Sequence, residues 1–500
     1  MVPRPLDSIA ELAAISLTSA GTLTLRVATG PAPFVAEQLA RKSKVVRAMH
    51  ERVQLCQDAQ TEVVLARQSL GVGRVCHILR VHGLGLGRAN DTALTFDSVG
   101  RASLERLFPG ITPEGHVQAT LNANDGGLGW KSAAEVALPA HLGGLIAASP
   151  RIKSMIQAGS TAGLLPYDRL ESRLDEILRV AEATFLAALD EVERVRAEDF
   201  LRKARSAASE AWVREMTGAS DGDPPAPRVV SEAGDGPTEG EAGEEGGHVS
   251  YRRIGAPELQ RELPRLLDVT KARRLDITLQ QQGAWPQLDR FHELRDKNVS
   301  HKWLTHLDVK TGAVLTTADY VVNIQKRLGA RVYTGEAACR LCGAHLDAQL
   351  EHGELCCTAE ATRGHYACVR SLVDGLRLAD PAVTTEPRGL TASMSRPADI
   401  LTSAAVPGRR AALDVCVASP NAATALGDAA ESAFRRKLRR YRQEIPELAR
   451  AGIVYRPLVW TADGRPHPAV TRTLRYAAET AVTRNGEARF SGHAGSEVAA

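Results

Sequence analysis

Apolar side chains recur at helical spacing over residues 34–80, where Val35, Leu39, Val45, Val46, Met49, Val53, Val63, Val64 and Leu65 trace a stripe. A second helical pattern covers 167–215, with Leu170, Leu174, Ile177, Leu178, Val180 and Ala181 ahead of a charged tail. Between them the run Val81-His82-Gly83-Leu84-Gly85-Leu86-Gly87 breaks the period. It matches neither G-x-G-x-x-G nor a Walker pattern and reads as a loop and helix cap. Helical spacing returns over 257–298 and 315–328. The period then changes, because 411–418 and 453–460 are short apolar runs of the kind that form buried strands. A basic helix is predicted between them, over about 422–450, and a last helix near 468–483. The pattern predicts an α+β protein with a mainly α N-terminal half and a C-terminal half that ends in α/β alternation.

Length and composition refine this picture. Five hundred residues exceed one ordinary core, so two or three domains are expected. Aromatics make up only 4%, so much of the core must be Leu, Val and Ala, as in helical domains. Residues 217–247 hold eight acidic side chains and one basic one, Arg228, a local charge of −7. A chain of +3 overall therefore carries about +10 elsewhere, which suits a polyanionic partner. The acidic stretch is rich in Gly and Pro and cannot offset its own ordering entropy, so a disordered linker is predicted over 217–250. The organisation that follows is helical over 1–216 and a helical connector over 251–335. A cysteine module occupies 336–370, an α/β domain 371–485 and a disordered tail 486–500. No apolar run approaches the length of a membrane span and no basic-then-apolar leader opens the chain, so a soluble intracellular protein without a membrane partner is expected.

Eight cysteines occupy 56, 76, 339, 342, 356, 357, 368 and 416, five of them crowded between 339 and 368. Inside a cell such crowding favours metal or free thiols over disulfides. Cys339, Cys342, His352 and Cys356 read C-x2-C-x9-H-x3-C, which can converge four soft donors on one tetrahedral Zn2+. A full Cys3His shell makes the ion structural. Cys357 competes with Cys356 for the fourth place, and His345 or His365 with His352.

Asp414 lies inside an apolar strand, where a carboxylate is costly unless paired, hydrogen-bonded or bound to a cation. Asp399 follows Arg396-Pro397-Ala398 in a loop. Together they could hold Mg2+ or Mn2+ against a phosphodiester; a capping Asp399 and a salt-bridged Asp414 are the plainer alternative. Lys437 is the sole lysine after Lys326, in a region that otherwise uses arginine, which suggests a need for a compact ammonium. It sits among Arg435, Arg436, Arg439, Arg440, Tyr441 and Arg442. That run can bind phosphates, serve as a nuclear import signal, or form a solvated helix face.

The order of cysteine module, Arg-Pro-Ala-Asp-Ile, Ala-Leu-Asp-Val-x-Val-x-Ser-Pro and a basic helix with Lys and Tyr resembles the C-terminal end of non-LTR (LINE-type) retrotransposon polyproteins. Gln118-Ala119-x-Leu121 through Asp125-Gly126-Gly127-Leu128-Gly129-Trp130-Lys131-Ser132-Ala133-Ala134, and Arg74-Val75-Cys76-His77-Ile78-Leu79-Arg80, resemble the helical thumb that follows the reverse transcriptase palm. The resemblance implies a zinc knuckle followed by a restriction-endonuclease-like domain that nicks DNA for target-primed reverse transcription. It assigns the divalent metal to Asp399 and Asp414, the catalytic lysine to Lys437 and a nearby role to Tyr441. His365, in Arg363-Gly364-His365, stands where the family has an Arg-His pair without the glycine. The resemblance also implies DNA and element RNA as partners and a nuclear or nucleo-cytoplasmic location. No Tyr-x-Asp-Asp motif occurs, so a truncated element without polymerase activity is expected, and Cys416 stands where a plain restriction-enzyme motif has lysine.

Overall fold

A computed structural model describes residues 22–24, 27–29, 32–82, 87–162, 167–217, 256–307, 315–333, 335, 338–356, 359–392, 396–422, 425 and 427–490. The predicted acidic linker beyond Thr217, residues 83–86 of the glycine run, Cys357 and the tail beyond Phe490 lie outside these residues. The architecture is α+β: mainly helical, with a small four-stranded mixed sheet. No helix among the described residues is long and apolar enough to cross a membrane.

The described chain separates into two compact units. The first takes the described residues of Met1–Cys56, Leu65–Ala102 and Lys131–Arg273. It holds the hairpin of β1 (Thr22–Thr24) and β2 (Val27–Thr29) and the helices Ala32–Val53, Gly73–His82, Ala133–Thr161, Tyr167–Ala188 and Glu191–Thr217. One core gathers Val46, Val75, Leu79, Phe96 and Ala137; another gathers Leu142, Ile146, Phe185, Leu201, Leu259 and Leu263. The stripe expected from periodicity is narrower than predicted, for Val46 and Ala181 are buried while Val45 and Val180 remain exposed. The single helix predicted over 167–215 is broken at Leu189 and Asp190. Asp190 accepts the Glu193 N–H at 2.9 Å and the Arg273 guanidinium at 3.0 Å, so its side chain starts a new helix instead of continuing the old one.

The second unit takes the described residues of Gln57–Val64, Ser103–Trp130 and Arg274–Ala500. Phe108, Tyr320, Leu128, Leu304 and Ile324 form its helical core. Beside that core, the Gln118–Trp130 segment folds on its own backbone. The amides of Leu128 and Trp130 reach the Ala119 carbonyl, and that of Gly129 reaches Leu121. Gly127 is required here, because a Cβ would stand 2.2 Å from the Leu121 carbonyl oxygen. Buried Arg327 closes the loop by donating to the Gly127 and Ala123 carbonyls.

The sheet runs β3 (Thr384–Thr385), β4 (Ile400–Val406), β5 (Arg409–Ala418) and β6 (Ile453–Thr461) in that order. The first three are antiparallel neighbours, and β5 pairs with β6 in parallel from Arg410↔Ile453 to Ala418↔Thr461. A parallel pair requires a crossover. The helices Ala429–Arg440 and Glu444–Arg450 supply it, where the pattern predicted a single helix over 422–450. Side chains alternate across the sheet. Ala411, Leu413 and Val415 face a core with Val369, Val373 and Leu376 of helix Ala359–Arg377 and Val470 and Ala477 of helix Pro468–Phe490. Ala412, Tyr455, Leu448 and Tyr441 pack on the other face. Asp414 falls on this second face, in the middle of the strand bonded on both sides.

Candidate functional site

The cysteine module is built by short-range geometry. The Gly343 amide donates to the Cys339 carbonyl at 2.9 Å and the Cys339 amide to the Ala344 carbonyl at 2.7 Å. This tight turn carries Cys339 and Cys342 and needs Gly343 at φ 72°. Asp347 then accepts the backbone N–H groups of Gln349, Glu351 and His352 at 2.9–3.0 Å, which winds the short helix Glu351–Leu355 and aims His352. The result places Cys339, Cys342, His352 and Cys356 with their donor atoms within 4.8 Å of one another. Cys339 and Cys356 sulfurs are 3.7 Å apart, Cys342 and Cys356 sulfurs 3.9 Å, and Cys342 Sγ is 3.2 Å from His352 Nε2. A tetrahedron of thiolates about 2.3 Å from zinc has edges of about 3.8 Å. The four side chains can therefore hold a metal ion such as zinc. His345 pairs by backbone with Ala338 instead of joining them, and His365 and Cys368 lie elsewhere. Backbone N–H groups of Leu341 and Cys342 lower the Cys339 thiol to about 6, and the neighbouring Cys339 sulfur raises Cys356 to about 11. Adjacent sulfurs resist carrying charge together until a cation joins them.

The acidic pair is assembled by tertiary structure. Asp399 precedes β4; its Oδ2 accepts the Val415 N–H at 2.7 Å and its Oδ1 faces His365 Nε2 at 3.2 Å. Its backbone is held by Leu413, whose carbonyl accepts the Asp399 N–H at 2.9 Å. Asp414 Oδ1 accepts from Lys437 Nζ at 2.8 Å and Oδ2 from the Tyr455 hydroxyl at 2.7 Å. Burial lifts the Asp414 carboxyl above its ordinary value, and the Lys437 ammonium opposes that rise; the charge of Asp399 adds to it. Burial acts to lower Lys437, yet the facing carboxylate outweighs it and leaves the ammonium more firmly protonated than usual. Tyr455 is pushed well up, first by burial and then by Asp414, so it serves as a fixed hydrogen-bond donor.

Tyr441 lies one turn after Lys437 and is buried against Tyr455, ring centroids 5.4 Å apart, with its hydroxyl donated to the Arg396 carbonyl at 3.3 Å. It supports the Arg396 loop and makes no hydrogen bond to Asp414. The arginines Arg435, Arg436, Arg439, Arg440 and Arg442 are exposed. Arg435 is paired with Glu431 at 2.5 Å, and Arg440 lies over the Tyr441 ring.

Several residues of the site escaped periodicity and motif alike. Tyr455 sits in a strand whose apolar run conceals it, although its position two residues from Pro457, the register partner of Asp414, is a usable signal once the pairing is known. Glu386 has a positive φ of 44°, accepts from Tyr366, and lies 3.6 Å from Arg396. Buried Arg290 joins Glu351, the residue before His352, at 2.5 Å to Asp463 at 2.9 Å, and Glu351 also accepts from Asn421 at 2.6 Å. Arg465 likewise joins Glu293 at 2.6 Å to Asp428 at 2.8 Å, the N-cap of the basic helix. These ion pairs tie the cysteine module and the basic helix to the same helix, Trp285–Leu294. No protein-family model matches this chain, and no curated protein matches it.

Proposed function

We propose that the C-terminal half is a metal-dependent DNA endonuclease of the non-LTR retrotransposon kind, with a zinc knuckle and a restriction-endonuclease-like domain. In this reading it nicks target DNA for target-primed reverse transcription. The observation that carries it is the pairing of Asp414 with Lys437 on a mixed sheet, with Asp399, from a third element, near enough for its charge to act on Asp414. The order of helix, three antiparallel strands, crossover helices and a parallel strand supports the reading of a restriction-endonuclease-like domain, and the helices described between Ala32 and Thr217 support that of a thumb-like region.

An ionised carboxylate offers about four acceptor sites. Each of the two aspartates accepts two hydrogen bonds, so both retain lone pairs for a cation. Mg2+ or Mn2+ held by Asp399 and Asp414 would supply an activated water and screen charge on the phosphodiester. Lys437 places a positive charge at Asp414, where it can meet a phosphate oxygen, and Tyr455 holds the carboxylate in orientation. The exposed arginines 435, 436, 439, 440 and 442 would grip the backbone of DNA, or of element RNA.

One observation favours a second reading. Both oxygens of Asp414 already have protein donors, so the site is chemically satisfied without a divalent ion. A non-catalytic, zinc-dependent nucleic-acid-binding protein, or an inactive relic of an element, would retain this ion pair for stability alone. Nicking of supercoiled plasmid with Mg2+ or Mn2+, beside Asp414→Ala and Lys437→Ala, separates them. Cleavage by the wild type and not by the variants supports the nuclease; an inert, folded, zinc-loaded wild type supports the binder.

A further inference from the structure

We infer that Arg409, Arg456 and Arg472 form a second oxyanion site, on the sheet face opposite Asp414, that takes a phosphate group of a nucleic-acid backbone. The inference deepens the nucleic-acid reading above and rests on it for the source of the phosphate, not for the site.

Arg456 pairs in register with Leu413, not with Asp414, so its side chain emerges on the face that packs against helix Pro468–Phe490. Its Nη1 donates to the Ala405 carbonyl at 3.2 Å and to Thr473 Oγ1 at 3.0 Å. Those two anchors adjoin the segments that carry the other two arginines. Ala405 precedes Val406, the register partner of Arg409 across the β4–β5 turn. Thr473, fully buried and donating to the Ala469 carbonyl, follows Arg472 directly. Two strands and a helix therefore contribute arginines to one corner of the sheet, Arg409 and Arg472 from segments that adjoin the two anchors of Arg456. Their proximity is felt at Arg456, which burial first, and then Arg472 and Arg409, push below its ordinary value.

No carboxylate answers this charge: none of the three arginines makes an ion pair among the described residues. The contrast within the same unit is instructive, since Arg290 and Arg465 each sit between two acids. Like charges gathered at a half-buried place repel unless an anion joins them. A guanidinium has five N–H donors in a planar fork, and Arg456 commits only Nη1. Its Nε and Nη2 hydrogens form the fork that can donate to two oxygens of a tetrahedral oxyanion, and the exposed Arg409 and Arg472 are close enough for their charge to act on it. The face is distinct from that of the arginine-rich helix, so a strand bound here would meet the protein on a second side.

The test uses the full zinc-loaded chain and fluorescence anisotropy of a labelled DNA duplex across a range of KCl concentrations. The double variant Arg409→Gln/Arg472→Gln alters only exposed side chains; Arg41→Gln/Arg173→Gln removes the same charge from exposed ion pairs elsewhere and serves as the control. If the site binds backbone phosphate, the first variant weakens binding several-fold more than the control and lowers the slope of log K against log salt by about 1–2. Equal affinity and slope in the two variants would overturn the inference. If the wild type binds no DNA, thermal stabilisation by inorganic phosphate at matched ionic strength decides the matter. Stabilisation lost in Arg409→Gln/Arg472→Gln keeps an oxyanion site while the nucleic-acid reading fails, and no stabilisation rejects both.

Discussion

Lys437 places its ammonium 2.8 Å from Asp414 Oδ1, although a loop and most of a helix separate the two residues in the chain. The side chains of both are largely shielded from water, so each is the other's principal compensation for lost hydration. Replacing Lys437 with Met should leave the Asp414 charge without its counter-ion and cost about 3–5 kcal/mol. The double variant Lys437→Met/Asp414→Asn should recover part of that loss. Urea unfolding of the four proteins in this cycle measures the coupling, and strictly additive losses would deny it.

The cysteine module should carry one tightly bound zinc per chain, measured by metal analysis after dialysis. Cobalt substitution should show the intense visible bands of a tetrahedral site with sulfur-to-metal charge transfer, and Cys342→Ser should abolish them. Asp347→Ala removes the acceptor for the His352 N–H, and zinc affinity is expected to fall on the order of tenfold or more. Unchanged affinity would mean that His352 is aimed by something else.

Arg290 is 3% exposed and faces two carboxylates, Glu351 and Asp463. Arg290→Met strands both acids, with an expected loss of about 3–5 kcal/mol in chemical denaturation. Because Glu351 precedes His352, the same variant should also weaken zinc binding, which separates this role from plain packing.

Acid stability should depend on Asp380. Burial acts to raise its carboxyl, but the Ser403 N–H, the Thr402 hydroxyl and the Ala382 N–H together hold it below its ordinary value. A depressed carboxyl contributes stability that is fully present above its unfolded value of 3.8 and lost as pH falls through the lower folded value. Asp380→Asn should therefore cost about 1–3 kcal/mol at neutral pH, with the gap to wild type narrowing below pH 3.8. A gap that stays constant through the acid range would rule out the linkage.

What the sequence determined by itself was local. The C-x2-C turn, the His/Cys pair one turn apart and the apolar runs of β5 and β6 depend on neighbours within a dozen residues, so composition and spacing suffice to recognise them. The α+β character follows from the change of period, and Lys437 stood out because arginine surrounds it. Tertiary structure decided the partners. Asp399 meets His365 because a helix and a strand, 34 residues apart, are packed by the same core. Tyr455 reaches Asp414 only through parallel pairing in one particular register, and a shift of one residue would turn it to the opposite face. The breaks in the helices predicted over 167–215 and 422–450 have the same origin, because capping and packing across the fold outweigh a periodicity that runs straight through them. Arginine looks alike everywhere in a sequence. Whether it is neutralised by two acids, as Arg290 and Arg465 are, or left in like-charged company, as Arg456 is, depends on which strand and helix bring its neighbours.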